Sequence, residues 1–298
     1  MHDALSPLTA SGVTAVTLTG HAQIIGAAVT SSLLGIRKLG VAYSGGVDSA
    51  TLLALAVRAL GPNGVVGILG VSPSLAASER RIAHEVAEFI GATIVEVETR
   101  EGENPQYIAN GPDRCFHCKE ALFSEIDDAL AAELGLDAVA YGENADDAGR
   151  PDRPGAFAAT NHRVLRPLAD AGLTKADVRE VARALSLPVA DKPASPCLAS
   201  RIPHGEPVTP ERLAQVEKAE NAVRDLGFTD FRVRHHGEVA RVELLTEEIA
   251  RAVTEPTRTS LIEGVKAAGF RFVTLDLTGI QSGAFTLPIV QVTSRRSA

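Results

Sequence analysis

VAYSGGVDSATLLALAV, residues 41–57, carries a short apolar run through two adjacent glycines straight into an apolar-rich helical pattern. A strand that ends in small residues and turns at once into a helix leaves the first helical N–H groups without internal partners, beside the positive end of the helix dipole. Such a junction is an anion site, and phosphate fits it. Gly45 and Gly46 let the backbone approach a ligand in conformations closed to other residues. Ser44, Asp48 and Ser49 offer caps, hydroxyl donors or a carboxylate facing a metal. The bland alternative is a glycine turn ahead of a core helix.

Two better-known nucleotide loops are excluded. No Lys follows the glycines as a Walker loop requires, and the third Gly of the dinucleotide fingerprint is absent. Ser-Gly-Gly-x-Asp-Ser instead resembles the PP-loop of the ATP pyrophosphatase superfamily. That resemblance implies a grip on the β,γ-pyrophosphate of ATP and its release as a substrate is adenylated.

Outward from the loop, apolar strands alternate with amphipathic helices. A helix from about His21 to Arg37 leads into the strand LGVAY, and a helix runs on through about Leu60. GVVGILGV (64–71) and ATIVEVET (92–99) are two more strands, separated by a helix across 75–91. This alternation predicts an α/β fold with a doubly wound parallel sheet. In such sheets ligands sit at the carboxyl ends of the strands, where the loop, SPS (72–74) and YGEN (141–144) all fall. After Gly205 the texture changes to a helix, two alternating strands, a helix and a strand, the order of a smaller C-terminal α+β domain. The expected division is a loose tail over 1–20, an ATP pyrophosphatase domain over 21–204 and an α+β substrate or assembly domain over 205–298.

The chain has 298 residues, is 45% hydrophobic and carries a formal net charge of −8. This composition belongs to a globular protein and counts against a large nucleic-acid partner, which is usually met by a basic face. The first residues, MHDALSPLTASG, have no basic region, and the apolar stretch near Ile24–Leu34 is too short and too interrupted to cross a bilayer. The expectation is a cytoplasmic protein with no membrane partner. Three cysteines make no disulfide framework and are better placed as ligands or reactants.

Cys115 and Cys118 form a C-x-x-C within NPQYIANGPDRCFHCKEALF, a spacing that lets both thiolates face one metal centre. Cys197 lies far downstream in DKPASPCLASRIPHGEPVT. Three thiolates suit a 4Fe-4S cluster with one iron left open; with His117 or His204 as a fourth ligand they equally suit structural zinc. Arg232 and Arg234, two apart on one predicted strand, point to the same side and can hold a phosphate, although the ordinary reading is a solvated strand face.

The ordered run SGGVDS, SPS, NPxYxxNxxxRCxxCK, YGENxDD, RPL, LTKxxVR, CLASRIPHG and RVRHHG, covering about residues 21–280, resembles the sulfur transferases that build the nickel-pincer nucleotide cofactor of lactate racemase. The resemblance implies ATP with Mg²⁺, a small nucleotide substrate, and conversion of a ring carboxylate of a pyridinium dicarboxylate mononucleotide to a thiocarboxylate. It assigns ATP to Ser44, Gly45, Gly46, Asp48 and Ser49, with Ser72 near adenosine and Gly142 and Asp147 near the α-phosphate and Mg²⁺. It makes Cys197 the sulfur-bearing position, and Cys115 and Cys118 its companions in a 4Fe-4S cluster. Lys119, Ser200, Arg201, Arg232 and Arg234 match the region that holds the substrate phosphate. Relatives suggest a homo-oligomer, and nothing in the sequence names the sulfur donor. The segment TGIQSGAF departs from the usual family ending.

Three alternatives remain at this level. Some family members sacrifice the sulfur of the single cysteine and end as dehydroalanine. Several tRNA thiolases share the fold and the three cysteines, although the acidic balance and the lack of a basic appendage argue against RNA. A zinc-holding ATP-binding regulator without chemistry is the third.

Overall fold

The computed structural model describes residues 12–126, 128–148 and 155–281. They form two compact units: one comprises the described residues of 12–71, Ala77–Arg100 and 118–195, the other Ser72–Ala76, Glu101–His117 and 196–281. Among the described residues no helix is long and apolar enough to cross a membrane.

The first unit is built on a four-stranded, all-parallel sheet: β1 (Leu39–Ala42), β2 (Val65–Val71), β3 (Thr93–Glu98) and β4 (Ala138–Tyr141), in the order β3-β2-β1-β4. β1 and β2 are central, so Leu39, Val41, Val65, Val66, Ile68 and Leu69 are buried. β3 alternates Val with Glu96 and Glu98 because it lies at the edge. Helix Val47–Leu60 buries every residue from Ser49 to Val57, which explains its unbroken apolar texture. It packs against helices Gly20–Ser32 and Lys175–Ala184.

The expected doubly wound sheet is thus present, with two local differences. The first helix stops at Ser32 rather than Arg37, because Leu33 closes it and Gly35 takes φ +86°. Within the expected tail, residues 12–20 are docked: Val13 and Leu18 are buried, and the Arg58 guanidinium donates to the carbonyls of Val13 and Val16. Residues 1–11 lie outside the described ones.

The second unit carries a three-stranded sheet, β5 (Phe231–His236), β6 (Val239–Leu244) and β7 (Phe272–Leu275), ordered β5-β6-β7. Gly237, at φ +62°, turns β5 into antiparallel β6, and helix Thr257–Ala267 carries the chain across to parallel β7. Helix Pro210–Asp225, capped by the Thr209 hydroxyl, lays Ala219 and Val223 on a core with Phe228, Val233, Val242 and Leu261. The α-β-β-α-β order is as expected. The sequence reading starts the second domain at 205, whereas this unit also takes in 72–76, 101–117 and 196–204. Hydrogen bonds bring those segments in: Leu198 N–H donates to Ser74 O at 2.9 Å, and Val208 N–H to Ile108 O at 2.9 Å.

Candidate active site

The strand order places the reversal of the first unit between β1 and β4. The chain moves outward through β2 and β3, then returns to the far side of β1, and the crevice beyond the carboxyl ends of β1 and β4 is where such sheets bind ligands. Two segments meet there. After β1, Gly45 takes φ +73° and presses against helix Ala77–Ile90; a Cβ at this position would stand 2.8 Å from the Ala83 backbone. Ser49 Oγ ties the loop by accepting from Ser44 N–H (3.2 Å) and donating to Gly46 O (3.1 Å). No side chain caps helix Val47–Leu60, so its first amides face outward beside the dipole. After β4, Gly142 lies against that same first turn, where a Cβ would come within 2.7 Å of Ser49 N.

Asn144 joins the two segments. Its Nδ2 donates to Asp48 Oδ1 at 3.2 Å and to Asp147 Oδ2 at 3.1 Å, and its Oδ1 accepts from Asp147 N–H at 3.0 Å. Lys175 Nζ is ion-paired with the Asp48 carboxylate, while Lys175 N–H donates to Asp146. A reciprocal capping box between Thr174 and Asp177 fixes the start of this lysine's helix. Two carboxylates held 3.1–3.2 Å from one amide, beside an ammonium and uncapped helix amides, suit a hard cation carrying phosphates. Ser44, Gly45, Gly46, Asp48, Ser49, Gly142 and Asp147 are therefore gathered. Asn144 and Lys175 join them without having been singled out as site residues; the signal was the Thr-Lys-x-Asp capping pattern in LTKADV.

Lys119 also belongs to the first unit, its Nζ 4.6 Å above the Tyr141 ring. Burial first, and then the Glu143 carboxylate, push the Tyr141 phenol far above its ordinary pKa. Ser72 lies in the second unit, its hydroxyl donating to the buried Glu101 carboxylate.

None of the three cysteines is in a disulfide. Cys115 and Cys118 stand one turn apart on helix Arg114–Glu125, Cys115 exposed and Cys118 half-buried. Cys197 is exposed and opens the short 3-10 turn Leu198–Arg201. These soft, accessible sulfurs fit iron or zinc as donors. Among the described residues the one trio of metal-capable side chains whose ligand atoms lie within 4.8 Å of one another is His21, Asp177 and Glu180. His117 pairs with Asp113 at 3.2 Å, and His204 Nδ1 is 3.1 Å from the Asn110 carbonyl.

Arg201, Arg232 and Arg234 of the second unit are placed against carboxylates. Arg201 makes a two-point pair with Glu220 (2.8 and 3.2 Å), the two side chains being 3% and 5% exposed. Its Nη1 donates to Pro196 O, Cys197 O and Ser200 Oγ. Arg234 pairs in the same way with fully buried Glu243 (3.1 and 2.9 Å) and donates to the carbonyls of Ser200 and Gln281. Arg232 pairs with Asp230 at 3.0 Å, and burial, then the nearby charge of Arg201, lower its pKa. Each of these three is paired with an acid, so neither Arg201 nor Arg234 is a solvated cation awaiting a phosphate.

Comparison with known proteins agrees with the phosphate loop. The asparagine synthase family model matches residues 21–127, which contain it. An uncharacterized protein of Synechocystis is 43% identical over 243 residues, 82% of this chain and 90% of its own length. An uncharacterized protein of Methanocaldococcus jannaschii is 26% identical over 241 residues, 81% and 90% of the two chains. The pyridinium-3,5-bisthiocarboxylic acid mononucleotide synthase of Lactiplantibacillus plantarum is 34% identical over 258 residues, 86% of this chain and 92% of that enzyme. With that coverage, and with a PP-loop at the switch point of a parallel sheet, the chain belongs to the family of this synthase and is an ATP-using sulfur transferase.

Proposed function

We propose that this protein adenylates a ring carboxylate of a pyridinium dicarboxylate mononucleotide and exchanges AMP for sulfur, leaving a thiocarboxylate, in the assembly of a nickel-pincer nucleotide cofactor. The grouping of Asp48, Asn144, Asp147 and Lys175 at the uncapped helix carries this reading. A carboxylate is a poor acyl donor because its leaving group would be oxide; joined to AMP it acquires a good one. The amides after Gly46 hold the β,γ-pyrophosphate, Asp48 and Asp147 take Mg²⁺, and Lys175 turns from Asp48 to the phosphates as charge builds on the leaving pyrophosphate. Ser72 lies by the nucleoside, and Lys119, Ser200 and Arg232 serve the substrate.

Cys115, Cys118 and Cys197 are the residues that would hold a 4Fe-4S cluster. When bound, that group supplies sulfur at an iron that no cysteine occupies. Two cysteines at metal spacing beside RCFHCK have no task if Cys197 alone gives up its sulfur. The exposure of Cys197 is compatible with that second reading, in which the acyl group passes to Cys197 Sγ with loss of AMP. The Cα proton then leaves to a base as the Cβ–S bond breaks, giving thiocarboxylate and dehydroalanine.

The deciding experiment measures iron and acid-labile sulfide after strictly anaerobic purification. The protein is then run with ATP, substrate and sulfide, and position 197 is examined by mass spectrometry. Bound iron with Cys197 intact after several turnovers is expected; dehydroalanine at 197 overturns the cluster route. No AMP release in the presence of substrate overturns the adenylating step.

A further inference from the structure

Arg114 stands one residue before Cys115 and is buried at the start of helix Arg114–Glu125. Its Nη1 donates to two acceptors: the Asn110 side-chain carbonyl at 2.6 Å and the Ala199 backbone carbonyl at 2.9 Å. Ala199 is the second residue of the turn that Cys197 opens. One guanidinium therefore spans from the first turn of the Cys115 helix to the Cys197 turn, inside a single compact unit.

Asn110 completes the clasp. It is fully buried and sits in the left-handed region at φ 56°, a conformation that Asn tolerates better than most residues. Its Nδ2 donates to the carbonyls of Pro203 (2.8 Å), Glu206 (3.0 Å) and Ile202 (3.3 Å). Its own carbonyl accepts from Gly205 N–H at 3.1 Å. The segment that follows Cys197 is thus tied back to the residue one helical turn before Arg114. Arg201 and Arg234 are each neutralised by a buried glutamate, whereas both acceptors of Arg114 are neutral. Burying a guanidinium against neutral acceptors is costly, so ion-pair stability does not account for this residue.

We propose that Arg114, oriented by Asn110, is a positioning residue that holds the Cys115 helix and the Cys197 turn in fixed register. The inference deepens the proposed function and rests on it for the sulfur chemistry, while its test is read without metal. The protein is prepared metal-free with Cys118→Ser, which removes the competing thiol, and treated with a short bismaleimide. Cross-linking of Cys115 to Cys197 within one chain is expected to proceed readily. Arg114→Gln should slow it about 10-fold or more, the population change matching loss of one hydrogen bond from a charged donor.

Hydrogen exchange separates this effect from general unfolding. In Arg114→Gln the amides of Ile202 and Gly205 should lose protection while those of β5–β7 keep theirs, and Arg114→Lys should recover part of both effects. Equal or absent cross-linking in the two proteins overturns the proposal. So does loss of protection spread evenly over the unit. A wild-type protein that binds no iron would sink the cluster reading and leave the cross-linking result intact.

Discussion

Replacing Lys175 by Met separates a charge that serves the reaction from one that serves the fold. The Lys175 and Asp48 side chains are 37% and 22% exposed, so their ion pair is partly solvated and screened. Pairs of this kind contribute about 0.2–1 kcal/mol, which places the change in melting midpoint below about 4 °C. Under the proposed function the same ammonium, paired with Asp48 in the first turn of helix Val47–Leu60, meets the charge that gathers on pyrophosphate as it leaves. Removing one preorganised donor from such a place costs on the order of 10²–10³ in rate, or about 2.7–4 kcal/mol of barrier. The diagnostic is the gap between the two magnitudes. Substrate-dependent release of AMP and pyrophosphate is measured alongside a thermal melt in the same buffer, with Lys175→Arg as the charge-keeping control. A rate within a few-fold of wild type would refute the reasoning, and so would a loss matched by a large fall in the melting midpoint.

Gly142→Ala should abolish ATP binding by calorimetry and lower the melting midpoint, because the added Cβ would lie 2.7 Å from Ser49 N and 2.8 Å from the Asp48 carbonyl carbon, backbone atoms that cannot step aside. Acidification should weaken the second unit. Burial, followed by Arg212 for His235 and Arg241 for His236, lowers both imidazole pKa values in the folded state. The unfolded chain then binds protons more readily, so the contribution is complete above the unfolded value of about 6.5 and is lost as pH falls through the folded values. Denaturant melts across that range should show the decline, and His235→Asn with His236→Asn should flatten it.

The first unit was legible because its signals are local. Eight consecutive small or apolar residues in ATLLALAV announce a helix buried on every side, and two glycines ahead of it announce the ligand. The return of the chain to the far side of β1, which makes the crevice, follows from pairings between residues as far apart as Leu39 and Ala138 and has no local signature. Lys175 was hidden for the same reason: its partner Asp48 lies 127 residues away. The arginines misled the reading in the opposite direction. Arg232 and Arg234, two apart on a strand, look like one phosphate clamp until Asp230 and Glu243 are seen to hold them separately. Asn110, one residue in IANGPD, shows its importance only when Ile202, Pro203 and Glu206 have come round to it.

Under the proposed function, the arginine expected to meet the substrate phosphate follows from what each would leave behind. Releasing Arg234 strands Glu243, fully buried although shared with Arg241; releasing Arg201 strands Glu220, which is 5% exposed and held otherwise by the Val233 amide. An unpaired carboxylate in such a place costs about 3–5 kcal/mol, much of what a phosphate would return. Arg232 is different, because Asp230 is 19% exposed and water can take over its oxygens. A phosphate therefore exchanges with Asp230 at the smallest cost, and the burial that lowers the Arg232 pKa strengthens its hold on an arriving dianion. The expected pattern is a division of effects. Arg232→Ala should raise KM for the mononucleotide about 10–100-fold with a small change in melting midpoint. Arg201→Ala should lower the midpoint on the order of 10 °C, because it leaves a buried acid alone. If Arg201→Ala instead melts normally and loses substrate affinity, its pair with Glu220 is one that opens for the phosphate, and the ranking by carboxylate exposure is wrong.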